Sequence, residues 1–118
     1  MICKSRWHAL AVRLAYEMER YHVGAENAVG AAELMDYLEL TNDRDLRSVR
    51  KYAVEELRVP IASTYSGGYC IPASYKDDAY DHSVRQKRRA GVSHIESANA
   101  IEDAMVARYG PPRLFEVG

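Results

Sequence analysis

Two adjacent glycines, Gly67-Gly68, stand between the short β-prone runs Pro60-Ile61-Ala62-Ser63 and Tyr69-Cys70-Ile71-Pro72. Paired glycines supply the positive φ angles of a tight hairpin, so the two runs read as antiparallel strands joined at Ser66-Gly67-Gly68. Alternation of period two puts Ile61 and Ile71 on one inner face, and Tyr65 and Tyr69 flank the tip. The tyrosines serve first to pack the hairpin. The tip carries no Lys or Arg, so a phosphate backbone would be met there by backbone N–H groups, Ser66 and Tyr65.

A basic helix leads into this hairpin. Asn42 is a good N-cap, and Asp45 three residues on makes a short form of the capping box. Asp43 and Asp45 suit the positive end of the helix dipole. Leu46, Val49, Ala53 and Leu57 recur at spacings of three and four, which predicts a helix from about Asp43 to Leu57 with one apolar stripe. Arg44, Arg47, Ser48 and Lys51 project from the other side. Arg50 sits at the edge of the stripe, where its stem packs and its head reaches water. Charge of this density is by itself an ordinary solvated face; the hairpin that follows is what singles the helix out.

Upstream, Trp7, Leu10, Ala11, Leu14, Met18 and Tyr21 mark one face of a helix from about Ser5 to His22, ended near Gly24. Trp7 belongs to the core. Ala28-Val29 adds a short strand before Gly30. Ala31, Leu34, Met35 and Leu38 then form the buried face of a second helix, with Glu33 in its first turn, and Leu40 fills the turn before Asn42.

Downstream, Ser74 and Asp77 look like a helix start, with Asp77, Asp78 and Asp81 crowding its first two turns. The expectation is one long helix running to Tyr109, where Gly110-Pro111-Pro112 stops it. A capping-box pattern at Ser93-His94-Ile95-Glu96, just after Gly91, offers two helices as the alternative. Tyr80, Val84, Ile95, Ala98, Ile101, Met105, Val106 and Tyr109 share a broad face, interrupted by a basic collar of Arg85, Lys87, Arg88 and Arg89. The apolar half beyond the collar needs a cover, either the body of the domain or a second copy. Pairing through Ile95, Ala98, Ile101, Met105 and Tyr109 would make a homodimer, although Glu102 inside that face argues against a tight coiled-coil seam.

The 118 residues suit one small domain with a modest core. No run is long enough to span a bilayer, and two cysteines, Cys3 and Cys70, make no disulfide framework, so a cytoplasmic protein is expected. Net charge is −1, unlike many nucleic-acid binders. Its distribution is uneven: residues 41–90 carry ten basic and seven acidic groups, while the flanks are each net acidic. Nothing suggests an enzyme, a cofactor or a metal site. There is no phosphate-cradling glycine loop and no nucleophile motif, and His8, His22, His82 and His94 are scattered.

Helix, turn, basic helix and glycine hairpin is the order of parts in a winged helix-turn-helix domain, whose second motif helix lies in the DNA major groove. The block of Asp43-Arg44, Leu46-Arg47, Val49, Leu57-Arg58, Pro60-Ile61, Ser63, Gly67-Gly68-Tyr69 and Ile71-Pro72 resembles the small winged-helix domains of bacteriophage and prophage proteins. The resemblance covers roughly residues 6 to 90. It implies a bacterial or phage-infected cytoplasm and a DNA-linked role in replication, transcription control or packaging. Glu39 departs from the pattern, standing where the motif turn often has Gly, and the link Arg58-Val59-Pro60 is short.

The resulting division is a mainly α winged helix-turn-helix domain over 1–74, a C-terminal helical extension over 75–110 and a tail over 111–118. Double-stranded DNA would be met by Arg44, Arg47, Ser48, Lys51, Tyr65, Ser66, Arg85, Arg88 and Arg89. The competing expectation is a protein-interaction or assembly module that uses the same fold without touching DNA.

Overall fold

Four apolar side chains at helical spacing, Ala11, Leu14, Ala15 and Met18, are buried along the longest helix, α1 (Ile2–Tyr21). The computed structural model describes residues 2–90 and 95–111, and it is mainly helical with one two-stranded antiparallel sheet. Tyr21 departs from the expected face: at the last residue of α1, past the end of the buried stripe, it is 58% exposed.

After a 3₁₀ turn (Ala25–Asn27) comes α2 (Ala31–Leu38), which buries Leu34 and Leu38. It closes on Glu39, which is left-handed at φ 58°. Leu40 N–H returns to Met35 O at 2.8 Å and Glu39 N–H to Asp36 O at 3.2 Å, which satisfies the last carbonyls of the helix. The next helix, α3 (Asp43–Glu55), starts where expected, with Asn42 Oδ1 accepting from Asp45 N at 2.8 Å. It ends two residues short of Leu57, and Arg58 takes the left-handed conformation at φ 57° in the link to the hairpin.

Strands β1 (Ala62–Ser63) and β2 (Tyr69–Cys70) pair Ala62 with Cys70 and Ser63 with Tyr69. Ile61 and Ile71 are both fully buried. Gly67 turns the loop at φ +95°, and Thr64 N–H donates to Gly68 O at 2.8 Å. Val29 bridges to Tyr69 on the other side of β2, with N–H to O distances of 2.9 and 2.7 Å. The short strand expected before Gly30 is thus present as a single bridge. Gly68 permits it, since a Cβ there would lie 3.2 Å from both Ala28 Cβ and Val29 O.

The long C-terminal helix is not formed as one piece. Asp77 caps a short α4 (Asp78–Tyr80) by accepting from Ala79 N at 2.8 Å. The run continues as a π-helical stretch (Asp81–Gln86) and then α5 (Lys87–Ala90). A separate helix, α6 (Ile95–Tyr109), returns antiparallel to it. The direction follows from the contacts: Arg88 meets Glu102 and Asn99, Tyr80 OH meets Glu102, Tyr75 OH donates to Gly110 O, and Tyr109 OH donates to Pro72 O. Gly91, Ser93 and His94, on which the choice between one helix and two was expected to turn, lie outside the described residues, as does the tail beyond Pro111.

Ala98, Ile101, Ala104 and Met105 of α6 are at most 1% exposed and join the same core as Leu14, Leu46, Val49 and Ile71. Three of the five residues expected to pair two copies, Ala98, Ile101 and Met105, are therefore covered within the chain, where α6 acts as an internal brace. Val106 and Tyr109 remain 38% and 40% exposed, and the side chain of Ile95 lies outside the described residues. No helix among the described residues is long and apolar enough to cross a membrane.

Candidate nucleic-acid interface

The outward side of α3 carries Arg44, Arg47 and Lys51, all exposed, while Ser48 is half-buried. Arg47 Nε lies 3.5 Å from Asp43 one turn earlier, an exposed pair of little energetic weight. Arg44 and Lys51 have no ion-pair partner among the described residues. Arg50 is placed differently from expectation. Its head turns inward, where Nη1 donates to Ile61 O at 2.9 Å and the guanidinium lies over the Tyr69 ring at 5.4 Å. Its Nε is buried without a hydrogen-bond partner among the described residues. Burial lowers its pKa, and Tyr69 opposes the shift.

Hairpin residues Tyr65 and Ser66 are both exposed, but the hairpin lies against the helical run after it. Tyr65 OH donates to Asp81 Oδ2 at 2.5 Å, and its ring packs edge-on against His82 at 4.7 Å between centroids. That hydrogen bond raises the Tyr65 pKa and lowers that of Asp81. Ser63 N–H donates to Ser83 Oγ at 2.8 Å, and Ser83 Oγ donates to Ser63 O at 3.1 Å. The outer edge of β1 is thereby occupied by the π-helical stretch.

The basic collar divides into two parts. Arg85 and Arg89 are exposed, with Arg85 held 3.5 Å from Asp81 in an i,i+4 pair. Arg88, also exposed, is held to α6: Nη2 donates to Glu102 Oε1 at 2.7 Å and to Asn99 Oδ1 at 2.8 Å. This bond holds the Glu102 carboxyl below its usual range and raises the Arg88 pKa. A guanidinium spent on clamping α6 is poorly available to a phosphate. The side chain of Lys87 lies outside the described residues.

Three of the residues that shape this surface were not singled out as site residues from the sequence: Arg50, His82 and Glu102. Each acts through a partner 11 to 22 residues away along the chain. No local spacing signals such a pairing. Cys70 is fully buried, and burial pushes its thiol up to about 12, so it stays protonated at neutral pH. Among the described residues no group of three metal-ligating side chains comes together.

The first turns of α6 stand beside α3. Arg47, Arg50, Lys51, Val54 and Glu55 face Glu96, Ser97, Ala100 and Ile101 across a cleft of about 300 Å³. The second half of α3 is therefore flanked, and its first half, with Arg44, lies outside the cleft. No family model, curated protein or solved structure matches this chain.

Proposed function

We propose that the chain is a winged helix-turn-helix protein of the bacteriophage type that binds double-stranded DNA in the cytoplasm, in replication, transcription control or DNA organisation. The observation that supports this is the exposed stripe Arg44, Arg47 and Lys51 on α3, which follows α2 after a short turn and precedes the β1–β2 hairpin. The antiparallel bridge from Val29 to Tyr69 supports it, since it gives the hairpin the third strand position such domains place between their first two helices. Arg44 and Arg47 are assigned to base edges, and Lys51 with Arg85 and Arg89 to phosphates. Two copies on adjacent half-sites would have to pair through a surface other than Ala98, Ile101 and Met105.

Fluorescence anisotropy with duplex DNA at two salt concentrations tests the proposal. Three phosphate contacts predict roughly a 40-fold loss of affinity between about 50 and about 200 mM salt. The double change Arg44→Ala, Arg47→Ala should weaken binding and relax sequence preference, each good base contact being worth ~1–3 kcal/mol. Unchanged affinity would remove α3 from the interface. A protein-docking role has one observation in its favour: Glu55 and Glu96 line the cleft beside Arg47 and Lys51 and would repel phosphates there.

A further inference from the structure

The cleft between α3 and α6 has a mixed chemistry of its own. One wall is cationic, with Arg47, Arg50 and Lys51; the floor is apolar, with Val54, Ala100 and Ile101. Arg50 is the telling member. Ile61 O takes its Nη1, and Nε is buried with no partner among the described residues. With Nε out of the solvent's reach, Nη2 is the donor Arg50 has left for a carboxylate oxygen in the cleft.

The remaining polar groups define the ligand's charge. Glu55 and Glu96, both exposed, offset two of the three cations, which leaves a net charge of +1. That balance suits one negative charge and disfavours a polyphosphate. The apolar floor calls for an apolar body, and the Ser97 hydroxyl offers one more polar contact at the first turn of α6. A volume of about 300 Å³ lies at the small end of ordinary ligand sites.

We propose that this cleft binds a small organic monoanion, a carboxylate on an apolar ring or chain, with the carboxylate on Arg50 and the body on Val54, Ala100 and Ile101. Arg47 and Lys51 belong both to this cleft and to the outward face of α3. Occupancy therefore neutralises part of the charge that would meet DNA, and the ligand lowers DNA affinity. This coupling rests on the DNA-binding proposal above; binding of the carboxylate does not.

The test uses the full chain without DNA and follows its backbone amides by NMR during titration with benzoate, with benzamide and inorganic phosphate as comparisons. Benzoate should shift the amides of Lys51, Ser97 and Ala100 saturably, while neutral benzamide and phosphate leave them in place. Arg50→Met should weaken benzoate about tenfold, the loss of one charge-assisted hydrogen bond. Lys51→Met, at an exposed position that should not disturb folding, should weaken it several-fold. The proposal is overturned by the absence of a saturable benzoate shift, by an equal response to phosphate, or by indifference to Lys51→Met. Anisotropy with DNA, with and without saturating benzoate, separates the two proposals. A chain that binds DNA and ignores benzoate has no such cleft ligand; one that binds benzoate and ignores DNA sinks the DNA assignment alone.

Discussion

Glu39 occupies a backbone conformation, φ 58° and ψ 41°, that L-residues, unlike glycine, adopt at a cost because Cβ crowds the following carbonyl. The sequence marked the position as unusual, and the structure gives the reason: it is the residue that ends α2. Glu39→Gly should raise the unfolding free energy by about 0.5–1 kcal/mol in urea titration, the relief of strain being partly offset by glycine's extra chain entropy. A loss of stability would mean that the glutamate side chain contributes a contact of its own. Glu102 supplies a second check. Its folded-state pKa lies below the ordinary glutamate value of 4.5, through the Arg88 hydrogen bond first and against the opposing effect of burial. The stability it contributes is thus complete above that value and is lost as pH falls through the depressed one. Thermal melts at descending acidic pH should show this slope in the native chain and a flatter one in Glu102→Gln; equal slopes would dismiss the clamp.

Among the elements, what depended on neighbours in the chain was readable in advance and what depended on distant partners was not. The Asn42 cap, the stripe of Leu46, Val49 and Ala53 and the glycine turn arise within a few residues and were found where expected. Leu57, however, lies past the end of α3, and only Gly67 of the glycine pair takes a positive φ. Arg88 looked like a free cation because its partners, Asn99 and Glu102, lie 11 and 14 residues further on. The apolar face of α6 was legible as a face, but helical periodicity does not name the surface that covers it. The structure shows that cover to be the domain itself, and Met105 measures its worth. Met105→Ala, at a fully buried position, should cost about 2–5 kcal/mol in chemical denaturation. A cost under 1 kcal/mol would indicate that α6 is only loosely seated.

At the scale of the whole molecule, the shared core means that α6 cannot be removed as an appendage. A chain ending at Gly91 loses Ala98, Ile101, Ala104 and Met105 from the interior and uncovers the side of α3 they touch. Circular dichroism should show it losing its cooperative melting transition, whereas a sharp transition near that of the full chain would make the first 91 residues self-sufficient. The π-helical stretch between the hairpin and this brace gives the molecule an unequal response to changes of length. A π turn holds more residues than an α turn, as though a residue had been inserted into an α-helix. Deleting one residue other than Ser83 within Asp81–Gln86 should let the helix relax to ordinary geometry with its flanking turns still in phase, Ser83 on the hairpin and Arg88 on Glu102. A further insertion has no such outlet and would turn one of the two contacts away by about 100°. In an evolving lineage this segment should therefore lose a residue more readily than it gains one, because the wide turn already holds the spare.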